Sequence, residues 1–460
     1  MRRRALLALA VFLTPLQALA DPVLSVHPQT AVYDAPFDVT LTGAAPDTTV
    51  LIRARQIDEN GKVWISSGEY RSDASGVVRT DRMPAFGGSY TGVSPHGLLC
   101  GALPEGVDSF ASYRQSFIEN PRIARTPPRS IDPVSFTLEA LVDGKVVART
   151  TAARGDAINV VEEEVATDTG LRGAYFRPVE GKRSREPILL LNGSGGGVRR
   201  YAAARFASRG HPTFAFAIYN YADLPKVLKN FPIERIADGA RWLAKRTGTQ
   251  QVAVMGVSRG SEAAAHAAIA FPDLFSAVIL SVPSHLQDAG ALDPAAKPGD
   301  GAWTLAGEPF PVTDLGFRPD DPRVLEQARN PPGYNASGMV LSMWGSEAFE
   351  EQYGTRFEAI EAPVLVLAGA EDGIWPSWIS AERIRQRMDR AGKGDAVTVK
   401  VYPGAGHSMV AVGMGGPLST FAYNPFLDGF MDFGGTPTGN CEAGFAGSRA
   451  VTEFLSATSD

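Results

Sequence analysis

Five apolar segments that follow residue 170 lack the polar alternation of strands that have one face in water. These segments are residues 188–191, 213–218, 252–255, 277–280 and 364–367. Strands of this composition are buried on both faces, as in a parallel sheet that helices cover on each side. Helical stretches separate them, for example residues 233–246 and 262–270. The pattern therefore predicts an α/β domain with a mostly parallel sheet over residues 166–460.

The earlier residues follow a different pattern. Residues 37–41 and 134–140 alternate apolar and polar side chains, and the turn dipeptides Asn60-Gly61 and Asp143-Gly144 accompany such runs. Short alternating strands with turn signals are typical of a β-sandwich, here over residues 21–165. Two domains also fit the length of 460 residues, since a single core stops growing at roughly 250–300 residues.

One segment of the second domain does not continue the alternation of strands and helices. Residues from about 286 to 335 are rich in Pro, Gly and Asp and lie between two predicted strands. Long connections in compact domains are uncommon and are often functional. We expect this segment to form an insertion that covers one end of the sheet.

The N-terminus has the pattern of a secretory signal peptide. Three arginines at residues 2–4 precede an apolar run at residues 5–13, and residues 18–20, Ala-Leu-Ala, offer a signal peptidase site. Pro15 interrupts the run well short of the roughly 20 apolar residues that a membrane span needs. We predict cleavage of residues 1–20 and a secreted or periplasmic mature protein without a membrane span.

Charge and motif content exclude several classes of function. The chain has 44 Lys and Arg residues against 50 Asp and Glu residues, and no basic cluster that could bind a phosphate backbone. It has no CxxC pair, no Cys/His cluster with zinc spacing and no HExxH motif. We therefore expect no nucleic acid partner, no metal and no cofactor.

The sequence contains two cysteines, Cys100 and Cys441. In an oxidising compartment an even number of cysteines permits a disulfide, which would connect the front of the chain to its tail. Two separate buried thiols that act as small apolar side chains are the alternative. The sequence leaves both arrangements open.

The strongest chemical signal is the pentapeptide at residues 256–260, Gly-Val-Ser-Arg-Gly. It follows the buried strand 252–255 and opens an alanine-rich helix, which is the setting of a nucleophile elbow. The two glycines allow a tight turn in which the Ser258 hydroxyl projects at the carboxyl edge of the sheet. A tight structural turn without chemistry is the alternative interpretation.

A serine hydroxyl needs a general base, and the sequence offers six histidines. His407 lies in a glycine-rich loop after the predicted strand 397–401 and follows the serine in the order that α/β-hydrolases use. The other five lie in the first domain, before a strand, in an apolar helix or too early in the chain: His27, His96, His211, His266 and His285. We predict that His407 is the base, with a role as a loop cap as the alternative.

The acid of such a triad should come from a loop between the serine and the histidine. Residues 369–373 form the turn after the buried strand 363–367 and contain Glu371 and Asp372. This turn lies at the same edge of the sheet as the elbow, so Asp372 is predicted to orient the imidazole of His407. Glu371 is the second choice, and a solvated turn aspartate is the alternative.

Negative charge that develops on a carbonyl oxygen needs backbone N–H groups as partners. Arg259, directly after the predicted nucleophile, would supply one N–H group, and Ser194 or Gly195 in the glycine-rich loop 192–197 would supply the second. A dinucleotide-binding loop is excluded because Val198 stands where the third glycine of that motif is required.

Six segments, taken together, resemble the family of acyl-CoA thioester hydrolases and bile acid-CoA:amino acid N-acyltransferases. They are residues 88–99, 193–197, 217–226, 256–262, 372–375 and 402–407. The resemblance runs in order through both predicted domains. It implies an immunoglobulin-like first domain, an α/β-hydrolase second domain, and triad roles for Ser258, Asp372 and His407.

In that family a cysteine nucleophile accompanies amidation of the acyl group by an amino acid, and a serine accompanies thioester hydrolysis. The resemblance therefore implies a serine-dependent hydrolase that acts through an acyl-enzyme on a small-molecule acyl thioester or ester. Three alternatives stay open: a secreted carboxylesterase that does not use CoA, an acyl-CoA:amino acid N-acyltransferase, and a non-catalytic binding module. The complete Ser, Asp and His set argues against the binding module.

Overall fold

The computed structural model describes most of the chain. The described residues are 21–58, 60–119, 131–179, 185–287, 295–297, 299–311, 321–330, 332–343, 347–410, 420–424 and 428–458. The predicted signal peptide, residues 1–20, lies outside the described residues, and the predicted insertion at residues 286–335 is described in parts.

Two sheets and two short helices make up the described part of the first domain. The strands are β1 (Val23–His27), β2 (Thr30–Val32), β3 (Asp38–Thr42), β4 (Thr49–Ile57), β5 (Val63–Arg71), β6 (Val78–Arg79), β7 (Gly87–Gly88), β8 (Leu103–Pro104), β9 (Val134–Val142) and β10 (Lys145–Gly155). The helices are α1 (Gly97–Cys100) and α2 (Phe110–Glu119). One sheet has the order β1-β3-β6, and the other has the order β2-β10-β9-β4-β5-β7 with β8 beside β5.

The two sheets of the first domain share one apolar core. On β4, Val50, Ile52 and Ala54 are buried while the residues between them are partly exposed, as the alternating sequence requires. The same core contains Leu41 of β3 and Leu138 of β9, so it joins side chains from both sheets. The assignment of this domain to the immunoglobulin-like type stays a prediction.

The second domain alternates strands and helices. Its described strands are β11 (Val160–Ala166), β12 (Arg172–Pro178), β13 (Ile188–Leu191), β14 (Thr213–Phe216), β15 (Phe231–Pro232), β16 (Val252–Val257), β17 (Phe275–Ser281), β18 (Trp303–Leu305), β19 (Glu308–Pro309), β20 (Val364–Gly369), β21 (Val397–Tyr402), β22 (Phe421–Asn424) and β23 (Gly429–Asp432). Its described helices are α3 (Arg200–Ser208), α4 (Glu234–Thr247), α5 (Arg259–Ala270), α6 (Pro322–Arg329), α7 (Ser337–Met343), α8 (Glu347–Tyr353), α9 (Ser377–Arg390) and α10 (Pro437–Thr458).

The main sheet has the order β11-β12-β14-β13-β16-β17-β20-β21. Strand β12 is antiparallel to both of its neighbours, and the six strands from β14 to β21 in this order run parallel. The predicted α/β domain with a mostly parallel sheet is therefore confirmed. The carboxyl ends of β16, β20 and β21 meet at one edge, where their loops can form a common site.

Helices cover both faces of this sheet, which explains the continuous apolar runs in the sequence. Strands β13, β14, β16 and β20 are buried along their whole length. Leu189 and Leu191 of β13 belong to the apolar core that includes residues of α4, α5 and α9. Ile188 and Leu190 belong to the core that includes residues of α3 and α10. The two faces of β13 thus pack into two separate apolar cores.

Part of the predicted insertion contacts the helix that follows the predicted nucleophile. Strand β18 pairs with β15 and β19 in a small three-stranded sheet. The indole Nε1 of Trp303 in β18 donates to Glu262 of α5 at 2.9 Å. Glu262 lies in the first turn of α5, so this part of the insertion lies at the carboxyl edge of the main sheet.

The predicted boundary between the domains, at residue 165, falls at the end of a strand that belongs to the main sheet. Strand β11 spans the predicted boundary, and all seven of its residues pair with β12 of the main sheet. The backbone hydrogen bonds of β11 are therefore part of the main sheet.

Covalent and ionic contacts join the two domains. Cys100 at the end of α1 forms a disulfide with Cys441 of α10, so the structure favours the disulfide over two free thiols. Close by, the Arg209 guanidinium lies 2.6 Å from the buried carboxylate of Asp34. In the described part of the chain no helix has the length and apolarity of a membrane span.

Candidate active site

A serine, a histidine and an aspartate from three separate loops form a hydrogen-bonded chain. Ser258 Oγ lies 2.9 Å from His407 Nε2, and His407 Nδ1 lies 2.9 Å from Asp372 Oδ2 and 3.0 Å from Oδ1. A carboxylate oxygen accepts a hydrogen bond, so Nδ1 donates to Asp372, and Nε2 is then placed to accept a hydrogen bond from the Ser258 hydroxyl. This is the arrangement that activates a serine oxygen.

The backbone at Ser258 has a conformation that places its side chain at the edge of the sheet. Ser258 joins β16 to α5 with φ +55° and ψ −125°. Holding a non-glycine residue in such a region costs on the order of 1–3 kcal/mol, and such strain clusters at functional sites. A Cβ on Gly256 would lie 2.0 Å from the carbonyl oxygen of Gly260, and a Cβ on Gly260 would lie 2.6 Å from that of Asn192. Neither position has room for a Cβ atom, so both residues that flank the Val-Ser-Arg sequence must be glycine.

The turn after β20 fixes the carboxylate of Asp372. Asp372 is 2% exposed, and its Oδ1 accepts the N–H groups of Ile374 at 3.0 Å and Trp375 at 3.3 Å. The Trp375 indole in turn donates to the carbonyl oxygen of Val282 at 3.0 Å. Glu371, the second choice from the sequence, is exposed at the surface of the turn. The structure thus brings Asp372 to the imidazole.

His407 follows β21 and lies between aromatic side chains. Its backbone N–H donates to the carbonyl oxygen of Phe433 at 2.7 Å, and its ring packs edge-on against Trp375 with centroids 5.2 Å apart. A Cβ on Gly406 would lie 2.2 Å from the Phe433 carbonyl oxygen, so the loop needs glycine before the histidine.

Four of the remaining histidines are buried elsewhere in the fold. Burial lowers the pKa of three of them to about 4, and these are His96, His211 and His266. Burial also lowers the pKa of His285, whose Nδ1 lies 3.1 Å from Ser380 Oγ. These rings are therefore uncharged at neutral pH. His27 lies exposed on β1.

The glycine-rich loop after β13 lies directly against the serine. A Cβ on Gly193 would lie 2.9 Å from Ser258 Cβ. The loop is held by Asn192, whose Oδ1 accepts the Gly193 N–H at 2.9 Å, and by the Tyr219 hydroxyl, which donates to the Ser194 carbonyl oxygen. Among the described residues, neither the Ser194 nor the Gly195 N–H group has a protein acceptor. Both amides thus lie in a loop that touches the serine.

Arg259 directly follows Ser258 in the chain. Its side chain is 2% exposed and pairs with Glu262, with 3.5 Å between Arg259 Nε and Glu262 Oε2. Arg259 is the first residue of α5, and the first N–H groups of a helix have no acceptor within the helix. Asn192 and Tyr219, which support the opposite loop, were not predicted from the sequence, although Asn192 precedes the segment 193–197 and Tyr219 lies in the segment 217–226.

Solved structures with partial similarity include esterases and lipases. A monoacylglycerol lipase of Paleococcus ferrophilus aligns with a TM-score of 0.36 and 18% identity, and covers 63% of this chain and 99% of the lipase. An esterase of Pyrococcus furiosus aligns with a TM-score of 0.32 and 12% identity, and covers 53% of this chain and 83% of the esterase.

Curated relatives align with nearly the whole chain. Mouse acyl-coenzyme A amino acid N-acyltransferase 1 is 26% identical over 435 residues, which are 93% of this chain and 95% of the relative. Rat acyl-coenzyme A thioesterase 1 is 26% identical over 429 residues, which are 91% of this chain and 92% of the relative.

Two family models match the two domains. The model of the acyl-CoA thioester hydrolase/BAAT N-terminal region matches residues 34–164, and that of the BAAT/acyl-CoA thioester hydrolase C terminal matches residues 231–458. The resemblance inferred from the motifs is confirmed. The chain is an enzyme of the α/β-hydrolase type and belongs to the acyl-CoA thioester hydrolase/BAAT family.

Proposed function

We propose that this protein is a serine-dependent acyl thioester hydrolase that acts through an acyl-enzyme. The observation that carries the proposal is the hydrogen-bonded chain from Ser258 through His407 to Asp372, with heavy-atom distances of 2.9 Å at both steps. Ser258 Oγ attacks the acyl carbonyl carbon while His407 Nε2 takes the hydroxyl proton. The C–S bond then breaks, and His407 returns the proton to the leaving thiolate.

The second half of the reaction uses the same groups. His407 removes a proton from water, and the oxygen of that water attacks the acyl ester on Ser258. The free acid leaves, and Ser258 Oγ regains the proton from His407. Asp372 holds the Nδ1–H tautomer throughout and stabilises the imidazolium that forms in each half.

Backbone N–H groups stabilise the oxyanion of each tetrahedral intermediate in this proposal. One comes from Arg259 at the start of α5, and the other from Ser194 or Gly195 in the loop against Ser258. A single donor of this kind is worth about 10²–10³ in kcat. Support comes from the close approach of Gly193 to Ser258 and from the Ser194 and Gly195 amides described above.

Water rather than an amino acid is the acyl acceptor in this proposal. The nucleophile is Ser258, and the resemblance associates serine with hydrolysis and cysteine with amidation. We expect purified mature protein to release free acid from an acyl thioester at a rate that millimolar glycine or taurine barely alters, with no amide in the mass spectrum. A Ser258→Ala sample measures uncatalysed release. Abundant N-acyl glycine or N-acyl taurine would overturn the hydrolase proposal.

An oxygen ester is a second candidate substrate because the mature protein is proposed to be exported, whereas acyl-CoA is normally intracellular. A panel of thioesters and oxygen esters with matched acyl chains separates the two. Rapid ester cleavage with no thioester cleavage would favour a carboxylesterase.

We propose that residues 1–20 are removed during export. The arginines at residues 2–4 and the apolar run support this, and so does the Cys100–Cys441 disulfide, since such bonds persist in oxidising compartments. N-terminal sequencing of protein recovered from the cell envelope or medium should find a start at or near Asp21. Exported, active protein that still begins with Met1 would contradict the proposal.

A further inference from the structure

The first turns of helix α10 lie against the loop that carries His407. Asn440 is completely buried. Its Oδ1 accepts the N–H group of Gly406 at 2.6 Å, and its Nδ2 donates to the carbonyl oxygen of Gly434 at 3.1 Å. Gly406 directly precedes His407. One buried amide thus ties the loop of the proposed base to the chain segment before α10.

That segment, residues 433–436, also contacts the turn of the proposed acid. The carbonyl oxygen of Phe433 accepts both the His407 N–H at 2.7 Å and the Gly373 N–H at 3.2 Å. A Cβ on Gly434 would lie 1.8 Å from the carbonyl oxygen of Glu371, so the two backbones touch. Segment 433–436 therefore joins the loops of Asp372 and His407, and Asn440 fixes it from the side.

The first domain holds the start of α10 in place. Cys441, next to Asn440, is bonded to Cys100 of α1. Ser94 Oγ donates to Glu442 Oε1 at 2.6 Å, and the His96 and Phe445 rings have centroids 4.6 Å apart. Burial lowers the pKa of His96 to about 4, so this ring packs in its neutral form. Ser94 and His96 belong to the 88–99 motif, which the proposed reaction does not use, and Cys100 directly follows that motif.

We propose that Asn440 is a positioning residue for His407 and that the Cys100–Cys441 disulfide anchors the helix turn that carries it. This inference rests on the proposed function, in which His407 is the general base. Asn440 touches no reacting atom. It acts by fixing the backbone at Gly406 and Gly434, and a displacement of about 1 Å at a catalytic group can cost about 10²-fold in rate.

Two variants of Asn440 in the full mature chain test its role. Asn440→Ala should lower kcat by about 10²-fold with KM nearly unchanged, because the side chain contacts the loop and not the substrate. Asn440→Asp keeps the acceptor for the Gly406 N–H group but loses the donor to the Gly434 carbonyl oxygen. Its kcat should therefore lie between that of the wild type and that of Asn440→Ala. Thr452→Ala is the matched control on the same helix, since Thr452 Oγ1 bonds only within α10, to Ser448 at 3.3 Å.

The readouts separate positioning from general loss of structure. Circular dichroism and the melting temperature define a temperature at which every variant is folded, and the rate of fluorophosphonate labelling of Ser258 should fall in parallel with kcat. Wild-type kcat in folded Asn440→Ala would overturn the inference. Wild-type kcat in His407→Ala would instead overturn the proposed function, so the two failures are distinguishable.

The disulfide is tested on the unaltered protein. Because the sequence has two cysteines in total, a phosphine reductant acts on this one bond, and alkylation with mass spectrometry reports completeness. With a p-nitrophenyl acyl ester as substrate, reduction should lower kcat roughly tenfold, less than Asn440→Ala because the Ser94 and His96 contacts remain. Reoxidation should restore it. Unchanged kcat after complete reduction would overturn the anchoring role.

Discussion

The single variants Ser258→Ala and His407→Ala should each lower kcat by about 10³-fold or more, since the members of a triad act as a unit. The two losses should not add in the double variant, because either one alone already removes the activated oxygen. Both variants should stay folded. Thioester turnover with purified mature protein measures the effect, and fluorophosphonate labelling reports Ser258 directly.

Matched controls for these substitutions lie on β1 of the first domain. Ser25→Ala and His27→Ala make the same chemical changes at exposed positions, so both should keep wild-type turnover. Near-normal activity in Ser258→Ala would show that another residue is the nucleophile, and the acyl-enzyme proposal would be wrong.

Asp372→Asn should lower kcat by about 10³-fold or more while the fold survives. The asparagine side chain can still accept the N–H groups of Ile374 and Trp375, so the turn keeps its internal bonds. It no longer fixes the tautomer in which Nδ1 of His407 carries the hydrogen, and it no longer offsets the imidazolium charge. The pH dependence of kcat and the melting temperature separate this chemical loss from unfolding.

Glu371→Gln is the control for this substitution. It removes a carboxylate from the same turn, but Glu371 is exposed, so turnover should stay close to that of the wild type. If Asp372→Asn retained activity and Glu371→Gln lost it, the acid would have to be reassigned.

Features set by local sequence could be predicted well. The main sheet followed from apolar runs such as Ile188–Leu191, because burial on both faces removes polar side chains whatever the neighbouring strand is. The elbow at Ser258 and the loops of Asp372 and His407 each follow a recognisable strand. Parallel strands carry their loops to one edge of the sheet, so the sequence alone could predict that these three side chains lie close together.

Features set by contacts between distant residues could not be predicted. Cys100 and Cys441 are 341 residues apart. Asn440 is 34 residues from Gly406, whose N–H group donates to the Asn440 side chain. No periodicity connects such pairs. The pairing of β11 is a related case, since its alternating residues resemble those of the first domain, whereas the structure pairs them with β12 of the main sheet.

The disulfide also determines whether a single proteolytic cut can divide this enzyme into separate fragments. The bond closes the chain between Cys100 and Cys441 into a covalent ring, and Ser258, Asp372 and His407 all lie inside it. One cut anywhere within a ring opens it without releasing a fragment. A molecule cut once therefore keeps its serine, aspartate and histidine on a single covalent entity, and only a second cut can separate them.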